Sequence, residues 1–382
     1  MSRARWIAAF GGALVTFAGV AALPALEAAL PAFAAAKARA APPGPFGPLL
    51  LPAPLVSRGK RVVTSGSDGA ALVDGVYRTG PKWGGGRPSP DRPAWAAIEI
   101  GRGPTRLLLS WTSSGNHDYW DQFYGAPVDY RIEVSGDSTN GRDGTWRTVV
   151  DVKDNPAHGR AHSFAFDGMR WVRMSVTRLP EKVNFWGLFL DEIDVHDLSD
   201  GGNDVWAFLG DSITCETADR GTPRRPAFQD QIAARHPGYR PATINVGLAR
   251  YKTFEALAKI DQLLALNPDA HVWAILIGAN DGTPEMVRDS LGPLIDRIKA
   301  AGRIPVVARI MFQTKYGPDY AAGKNVMLDA VVRAKGLAPG PDLYGWFKAH
   351  PERLRDGLHP DDAGTIEVNR MWAEAVAPLY PW

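Results

Sequence analysis

The sequence predicts two domains of different fold class, an antiparallel β-sandwich followed by an α/β domain with a parallel sheet and helices on both faces. Three observations carry this prediction. At 382 residues the chain exceeds one ordinary domain and suits two. From about residue 61 to 197 the pattern shows many short strands with no helical period between them. After residue 203 the pattern alternates strand, helix and strand, which is typical of a parallel sheet.

Composition gives no basis for a nucleic-acid partner and excludes an internal disulfide. Hydrophobic residues make up 45% of the chain and charged residues 22%, as in a globular protein. The net charge of +2 and the lack of a dense Lys/Arg run give no basis for a nucleic-acid partner. Cys215 is the one cysteine, so no disulfide can form within the chain. No His-plus-Cys signature surrounds it, and we therefore interpret it as a packing residue.

The N-terminus predicts an export signal over residues 1–36. Arg3 and Arg5 give a basic start, residues 6–23 are apolar and uncharged, and small residues follow. We expect a secreted or periplasmic protein. The alternative is an uncleaved helical anchor, because the apolar run approaches the length that spans a bilayer. In that case the protein meets the membrane only through this segment.

The remaining boundaries follow from composition. Residues 37–60 are rich in Ala and Pro (APPGPFGPLLLPAP within them) and predict an extended linker. The β-sandwich is expected over 61–200 and the α/β domain over 201–382.

The β-sandwich is predicted from runs rich in Val, Ile and aromatic residues that Gly, Asp, Asn and Pro clusters separate. The predicted strands are 95–100, 106–111, 129–135, 146–152, 160–166, 171–176 and 192–196.

In detail these strands resemble the galactose-binding-like (discoidin, F5/8 type C) jelly roll, a fold of many carbohydrate-binding modules. The residues that carry this resemblance are LVDG at 72–75, WAAIEIG at 95–101, YRIEVS at 130–135, Trp146, WVR at 171–173 and EIDV at 192–195.

Two binding expectations follow from this resemblance. Such modules often hold a structural calcium, and the matching positions are Asp74 and Glu192, whose oxygen ligands suit a hard cation. The same residues also fit a turn aspartate and an edge-strand glutamate without metal. The loop NHDYWDQFYG carries Tyr119 and Trp120, which either stack on sugar rings or pack against the other domain.

In the second domain, apolar runs predict strands at 205–209, 242–246, 271–277 and 304–311, with helices at 226–235, 253–266, 284–301, 322–335 and 361–378. Gly210, Gly247 and Gly278 fall at the carboxyl ends of the first three strands. Ligands of open parallel sheets bind outside those ends. The fold therefore predicts one crevice lined by the segments that follow these glycines.

Four segments near this crevice carry chemistry: GDSIT at 210–214, Gly247, GAND at 278–281, and DGLHP at 356–360. Their order and context resemble the SGNH (GDSL-type) hydrolase family, whose blocks carry Ser, Gly, Asn and His. The resemblance covers residues 203–382 and implies a flavodoxin-like hydrolase fold. Each segment alone also fits a plain structural role, such as a helix cap, a strand end or a surface turn.

The resemblance implies a catalytic triad. Ser212 is a poor nucleophile unless a base takes its proton, and His359 is the candidate base. Asp356, three residues earlier, can accept the other ring N–H and fix the tautomer. Family donors for the oxyanion map to the Ser212 N–H, the Gly247 N–H and the Asn280 side-chain amide, and such donors stabilise a tetrahedral intermediate.

We expect an exported serine esterase that hydrolyses short-chain, most simply acetyl, esters on a polysaccharide. No cofactor is required for this catalysis, and the expected partner is an acylated carbohydrate. The substrate rests on the pairing of two domains, which is an analogy. Alternatives are a lipase, lysophospholipase or thioesterase of the same fold, an acetyltransferase, and a catalytically idle carbohydrate-binding protein.

Overall fold

A computed structural model describes residues 44–66, 69–76, 83–113, 125–181, 187–218, 226–317 and 319–381. The predicted signal at 1–36 and the aromatic loop with Tyr119 and Trp120 lie outside these residues. Residues 41–382 form one compact unit. Two clusters of buried apolar side chains lie within this unit, one in the β-rich part and one centred on the α/β part.

The β-rich part contains ten strands among the described residues. They are β1 (Val62–Thr64), β2 (Trp83–Gly84), β3 (Ala94–Glu99), β4 (Arg106–Thr112), β5 (Asp129–Ser135), β6 (Arg147–Val152), β7 (Gly159–Ala165), β8 (Trp171–Arg178), β9 (Phe189–Leu190) and β10 (Glu192–Asp197). All seven predicted strands are present, within one or two residues of their expected bounds. The strands β1, β2 and β9 were not predicted, because runs of two or three residues are too short to show a period.

Three antiparallel sheets of the described residues contribute to the core of the β-rich part. Their orders are β1-β3-β8-β5-β6, β10-β4-β7 and β2-β9. Alternate residues of β4, Leu107 and Leu109, enter this core together with Ile132 of β5 and Val172 of β8. Antiparallel strands that alternate in this way agree with the β-rich fold expected from the sequence.

The three-stranded sheet is buried on both faces. Leu108 of β4 and Ala161 of β7 point away from the first core and join the cluster of the α/β part. Gly159 lies so close to the second part that an added Cβ would be 3.2 Å from the Asn245 carbonyl oxygen. Burial on both faces explains why β4 reads as a continuous apolar run although it belongs to an antiparallel sheet.

The described part of the predicted linker does not form a free spacer. Leu50 is 1% exposed and Ala53 is fully buried, and both belong to the core of the α/β part. The Leu50 N–H donates to the Leu379 carbonyl, and the Val56 N–H donates to the Val195 carbonyl beside β10. The linker prediction is wrong for these residues, because a Pro-rich extended strand can pack as well as span.

The α/β part contains four parallel strands and seven helices among the described residues. They are β11 (Val205–Gly210), α1 (Ser212–Thr217), α2 (Phe228–Arg235), β12 (Ala242–Asn245), α3 (Thr253–Leu266), β13 (Val272–Leu276), α4 (Pro284–Ala300), β14 (Ile304–Val307), α5 (Ala322–Ala334), α6 (Leu343–Ala349) and α7 (Asp362–Ala375).

The sheet order β12-β11-β13-β14 places β11 at the centre, between β12 and β13. Every residue of β11 and of β13 is buried, as expected for a sheet covered on both faces. The parallel sheet with helices confirms the predicted α/β class. The helices α1 and α6 are short, with six and seven residues.

Crossing a bilayer needs a length and an apolar content that none of the helices in the described ranges combines.

One buried carboxyl ties the start of the central strand to the C-terminus. Asp204 is fully buried, and its Oδ1 accepts hydrogen bonds from Trp206 Nε1 at 2.8 Å and from the Tyr380 hydroxyl at 3.0 Å. Burial raises the pKa of Asp204 to about 7, against the opposing effect of these two hydrogen bonds.

Because the pKa of Asp204 is raised, the free energy of unfolding should depend on pH. Between the unfolded pKa of about 3.9 and the folded value, the native state binds more protons, so the free energy of unfolding falls as the pH rises. Asp204→Asn should remove this fall. In thermal melts from pH 4 to 8, the free energy of unfolding of the variant should rise relative to that of the wild type by roughly 4 kcal/mol at most. Asp200→Asn, an exposed neighbour, is the control. A stability difference between Asp204→Asn and the wild type that does not change with pH would contradict the prediction.

Candidate active site

The site begins at the turn after the central strand. Gly210 ends β11, and an added Cβ there would lie 2.1 Å from both the Leu276 carbonyl oxygen and Thr214 Oγ1. Only glycine lets the chain pass this close to its neighbour strand. Asp211 then caps α1, because its side chain accepts the Ile213 N–H at 3.0 Å. Ser212 is consequently the first residue of the helix, and its N–H has no acceptor within that helix.

Asp211 itself has a structural place in this turn. It is 1% exposed, and burial raises its pKa to about 7 in spite of the Ile213 N–H and the nearby His359.

A second tight turn carries the predicted acid and base. Gly357 has φ +78°, and its carbonyl accepts the N–H groups of Thr314 at 2.8 Å and Lys315 at 3.0 Å. The Arg355 N–H donates to the His359 carbonyl at 2.9 Å, which closes the loop. The segment after β14 therefore holds this loop against the carboxyl edge of the sheet.

Three predicted side chains form a hydrogen-bonded chain at this edge. Ser212 Oγ lies 2.8 Å from His359 Nε2, and His359 Nδ1 lies 2.8 Å from Asp356 Oδ2. Since the carboxylate can only accept, Nδ1 carries the hydrogen and Nε2 accepts the Ser212 hydroxyl. The histidine side chain is 16% exposed and the aspartate 43%.

The charge of Asp356 is stabilised locally. Partial burial opposes ionisation, but the backbone N–H and ring N–H of His359 and the Leu358 N–H all donate to this carboxylate. Together they hold the pKa of Asp356 well below its usual range. Asp356 is therefore ionised at neutral pH, and its carboxylate accepts the hydrogen of His359 Nδ1.

Asn280 lies at the end of the neighbouring strand, half-buried. Its side-chain Nδ2 donates one hydrogen to the Tyr251 carbonyl at 3.2 Å and keeps a second hydrogen. The adjoining Asp281 carboxylate accepts the Thr253 N–H at 3.1 Å and the Thr253 hydroxyl at 2.5 Å. The β13 loop is thus fixed to the loop that precedes α3.

The structure places Gly247 differently from the sequence prediction. Its N–H donates to Asn245 Oδ1 at 2.9 Å, and the residue is buried against Cys215. An N–H directed at a side-chain oxygen is not directed at a reacting oxygen, so this geometry does not support Gly247 as an oxyanion donor.

Three residues later the same loop turns sharply. The Tyr251 N–H donates to the Leu248 carbonyl at 3.2 Å, and Arg250 has φ +64°, a strained value for a residue with a side chain. Within the described residues the Arg250 N–H has no hydrogen-bond acceptor. A positive φ at a single arginine leaves no signal in the sequence. The sequence therefore offers no reason to single out Arg250.

Cys215 is 2% exposed and free of any disulfide, in agreement with a packing role.

Asp74 and Glu192, the two residues predicted to bind calcium, both lie beside Gly75. The side chain of Arg58 lies there as well. Glu192 Oε1 accepts the Gly75 N–H at 2.8 Å, and Asp74 Oδ1 accepts the Val76 N–H at 2.8 Å. The Arg58 guanidinium lies against Gly75, since an added Cβ would be 1.7 Å from its Nη1.

These contacts do not fit a divalent cation. Arg58 Nη2 is 3.6 Å from Asp194 Oδ1, so a positive charge is already present in the cluster. Burial and the Asp194 carboxylate raise the pKa of Glu192 to about 9, while the Gly75 N–H and Arg58 oppose the rise. No group of three or more His, Cys, Asp or Glu side chains in the described ranges could hold a metal ion. The calcium prediction has no support in this arrangement.

A cavity of about 310 Å³ lies where the two parts meet. The loop of Pro156 and His158 lines one side, and Leu248, Tyr251 and Leu263 line the other. The cavity is mostly apolar, and it shares Leu248 and Tyr251 with the turn that Asn280 contacts.

Residues 208–365 match the sequence model of the GDSL-like lipase/acylhydrolase family. This segment contains all five predicted residues of the crevice: Ser212, Gly247, Asn280, Asp356 and His359. The match supports a GDSL-family hydrolase in the α/β part. No curated protein among those compared matches the chain.

Several solved structures are similar to parts of the chain. A Bacillus subtilis protein is 13% identical over 74% of this chain and 80% of its own, with a TM-score of 0.43. An acetyl xylan esterase, AlAXEase, is 15% identical over 45% of this chain and 99% of its own, with a TM-score of 0.39. A chitosan-binding module from a Paenibacillus chitosanase/glucanase is 20% identical over 37% of this chain and 97% of its own, with a TM-score of 0.28.

The tight turn at Gly357 gives a test of the site geometry. An alanine there would combine a positive φ with a Cβ 2.7 Å from Thr314 Oγ1, and would push Asp356 and His359 out of place. A shift of about 1 Å in such a site costs about 100-fold in rate, so Gly357→Ala should lower kcat for an activated ester to that extent.

Gly336→Ala is the matched control, because Gly336 also has a positive φ, +63°, but open space around it. It should lose stability without losing kcat. Equal effects of the two substitutions on kcat would show that the Gly357 turn does not position the site.

Proposed function

We propose that this chain is a serine esterase in which Ser212, His359 and Asp356 form the catalytic triad. The observation that carries the proposal is the continuous hydrogen-bond chain from Ser212 Oγ through both imidazole nitrogens to Asp356, with both distances at 2.8 Å. A structural serine at a helix start needs no such base, whereas a nucleophile does.

In the proposed reaction, His359 Nε2 takes the Ser212 proton as Oγ attacks the ester carbonyl carbon. The carbonyl π electrons move to oxygen and form a tetrahedral oxyanion. Collapse of this intermediate expels the alcohol, which receives the proton from His359, and leaves an acyl-Ser212. Water, deprotonated by the same histidine, then releases the carboxylic acid and regenerates the serine.

The oxyanion donors in this proposal are the Ser212 N–H and the second hydrogen of the Asn280 amide. The Arg250 N–H replaces Gly247 as the third donor, because it is unpaired within the described residues and lies one residue from the carbonyl that Asn280 binds. Each such donor is worth roughly 3 kcal/mol in the transition state.

For the substrate we propose short-chain, acetyl esters on a polysaccharide. Support comes from the β-rich part, whose strands resemble a galactose-binding-like jelly roll, in one compact unit with the hydrolase part. The basic and then apolar start of the chain supports export as part of this proposal.

The apolar cavity beside the Leu248–Tyr251 turn favours one second candidate. A cavity of about 310 Å³ with mostly apolar lining suits an acyl chain, which would make the chain a lipase or thioesterase of the same fold.

The decisive experiment is hydrolysis of p-nitrophenyl acetate, butyrate and octanoate by the full chain and by Ser212→Ala. Acetate turnover should exceed octanoate turnover, and the variant should lose about 1000-fold or more in kcat. Cys215→Ala, in the same short helix, is the matched control and should keep wild-type kcat.

Acetate release from acetylated xylan should then follow the p-nitrophenyl acetate activity across these variants. Preference for octanoate would favour the second candidate. Activity that survives Ser212→Ala would contradict the serine mechanism.

A further inference from the structure

Lys324 of α5 is a buried charge that the proposed reaction does not yet use. It is 1% exposed, and among the described residues no other lysine or arginine is buried to this degree. Burying an ammonium group is costly unless nearby groups compensate it. The groups around the Lys324 ammonium therefore show how its charge is compensated.

The ammonium group lies directly behind the Asn280 loop. Lys324 Nζ is 3.4 Å from the Ala279 carbonyl oxygen, to which it donates, and 3.5 Å from the centre of the Tyr320 ring. The Tyr320 hydroxyl donates to the Asp281 carbonyl at 3.2 Å. Lys324 and Tyr320 thus hold the two carbonyl groups on either side of Asn280.

Two carboxylates act electrostatically on the same ammonium group. Asp281 follows β13 and Asp211 precedes α1, and both attract Lys324 electrostatically. Tyr320, before α5, contributes its ring, and Tyr316 packs on Tyr320 with ring centres 4.9 Å apart. A protonated His359 would also act electrostatically on the Asp211 carboxyl.

Burial lowers the pKa of Lys324 to about 8, while Asp281 and Asp211 oppose the fall. The ammonium form therefore predominates at neutral pH and is lost as the pH rises through this value. Because the site is buried, this charge acts on nearby groups with little screening by solvent.

We propose that Lys324 is a positioning residue for the serine esterase reaction: its ammonium group fixes the Asn280 amide and places a positive charge behind the developing oxyanion. The inference rests on the proposed function. The charge is present before the substrate binds, so it favours the negatively charged transition state more than the neutral ester. Loss of the charge should consequently lower kcat and leave KM nearly unchanged.

The test compares Lys324→Met with the wild type on p-nitrophenyl acetate. Methionine keeps a similar length and fills the space without charge. We expect kcat to fall about tenfold and KM to stay unchanged. This fall is smaller than for removal of a direct oxyanion donor, because Lys324 does not contact the oxyanion itself. We also expect the wild-type kcat to decline as the pH rises through about 8, and this decline to be absent in Lys324→Met. A purely structural lysine would not remove the decline.

Lys335→Met, at the end of the same helix, is the matched control and should keep the wild-type kcat and pH profile. Tyr320→Phe provides a second variant if Lys324→Met does not fold. It removes the bond to the Asp281 carbonyl and keeps the ring and the charge, so kcat should fall while the alkaline decline remains.

The failure of this inference is distinguishable from failure of the proposed function. A wild type without esterase activity, or with activity that survives Ser212→Ala, overturns the function. An active wild type with unchanged kcat and pH profile in folded Lys324→Met overturns the role of Lys324 alone. If Lys324→Met does not fold, a wild-type kcat that does not decline as the pH rises through about 8 overturns it.

Discussion

The architecture of the site depends on one close approach, that of Gly210 to the neighbouring strand. With no side chain at Gly210, the central strand can turn directly against the Leu276 carbonyl and the Thr214 hydroxyl. That turn puts Ser212 at the first position of a helix, where its N–H is not used by the backbone. Any larger residue at position 210 would move Ser212 away from His359.

The other participants are held by loops that the same sheet edge brings together. The segment after β14 binds the Gly357 carbonyl and so fixes the turn of Asp356 and His359. Thr253, Tyr320 and Lys324 fix the Asn280 loop from two directions. Because each loop is bonded to a different element, the site is formed before substrate binds, as electrostatic preorganisation requires.

Much of this arrangement was predictable from the sequence, for a physical reason. Buried parallel strands read as apolar runs, and the segments after β11 and β13 carry Ser212 and Asn280 in recognisable motifs. The spacing of Asp356 and His359 also predicts their contact, since a tight turn brings residues three apart together. The seven longer strands of the β-rich part follow from local composition.

The rest depends on tertiary contacts that local patterns do not record. The side chain of Asn245 takes the N–H of Gly247, so the glycine in the motif is not the donor that the motif suggests. Arg58 reaches the Asp74–Glu192 cluster from a segment that reads as a linker, and its charge there changes the metal expectation. Lys324 is one lysine among many until α5 packs beneath the β13 loop.

The central claim is that Ser212 is a nucleophile activated by His359. Treatment with a p-nitrophenyl alkylphosphonate, followed by mass spectrometry of peptides, measures this directly, because the phosphonate forms a stable adduct with an activated serine. The account predicts one adduct, on Ser212, and a large fall in its rate of formation in His359→Ala. An adduct on another residue, or an equal rate without His359, would contradict it.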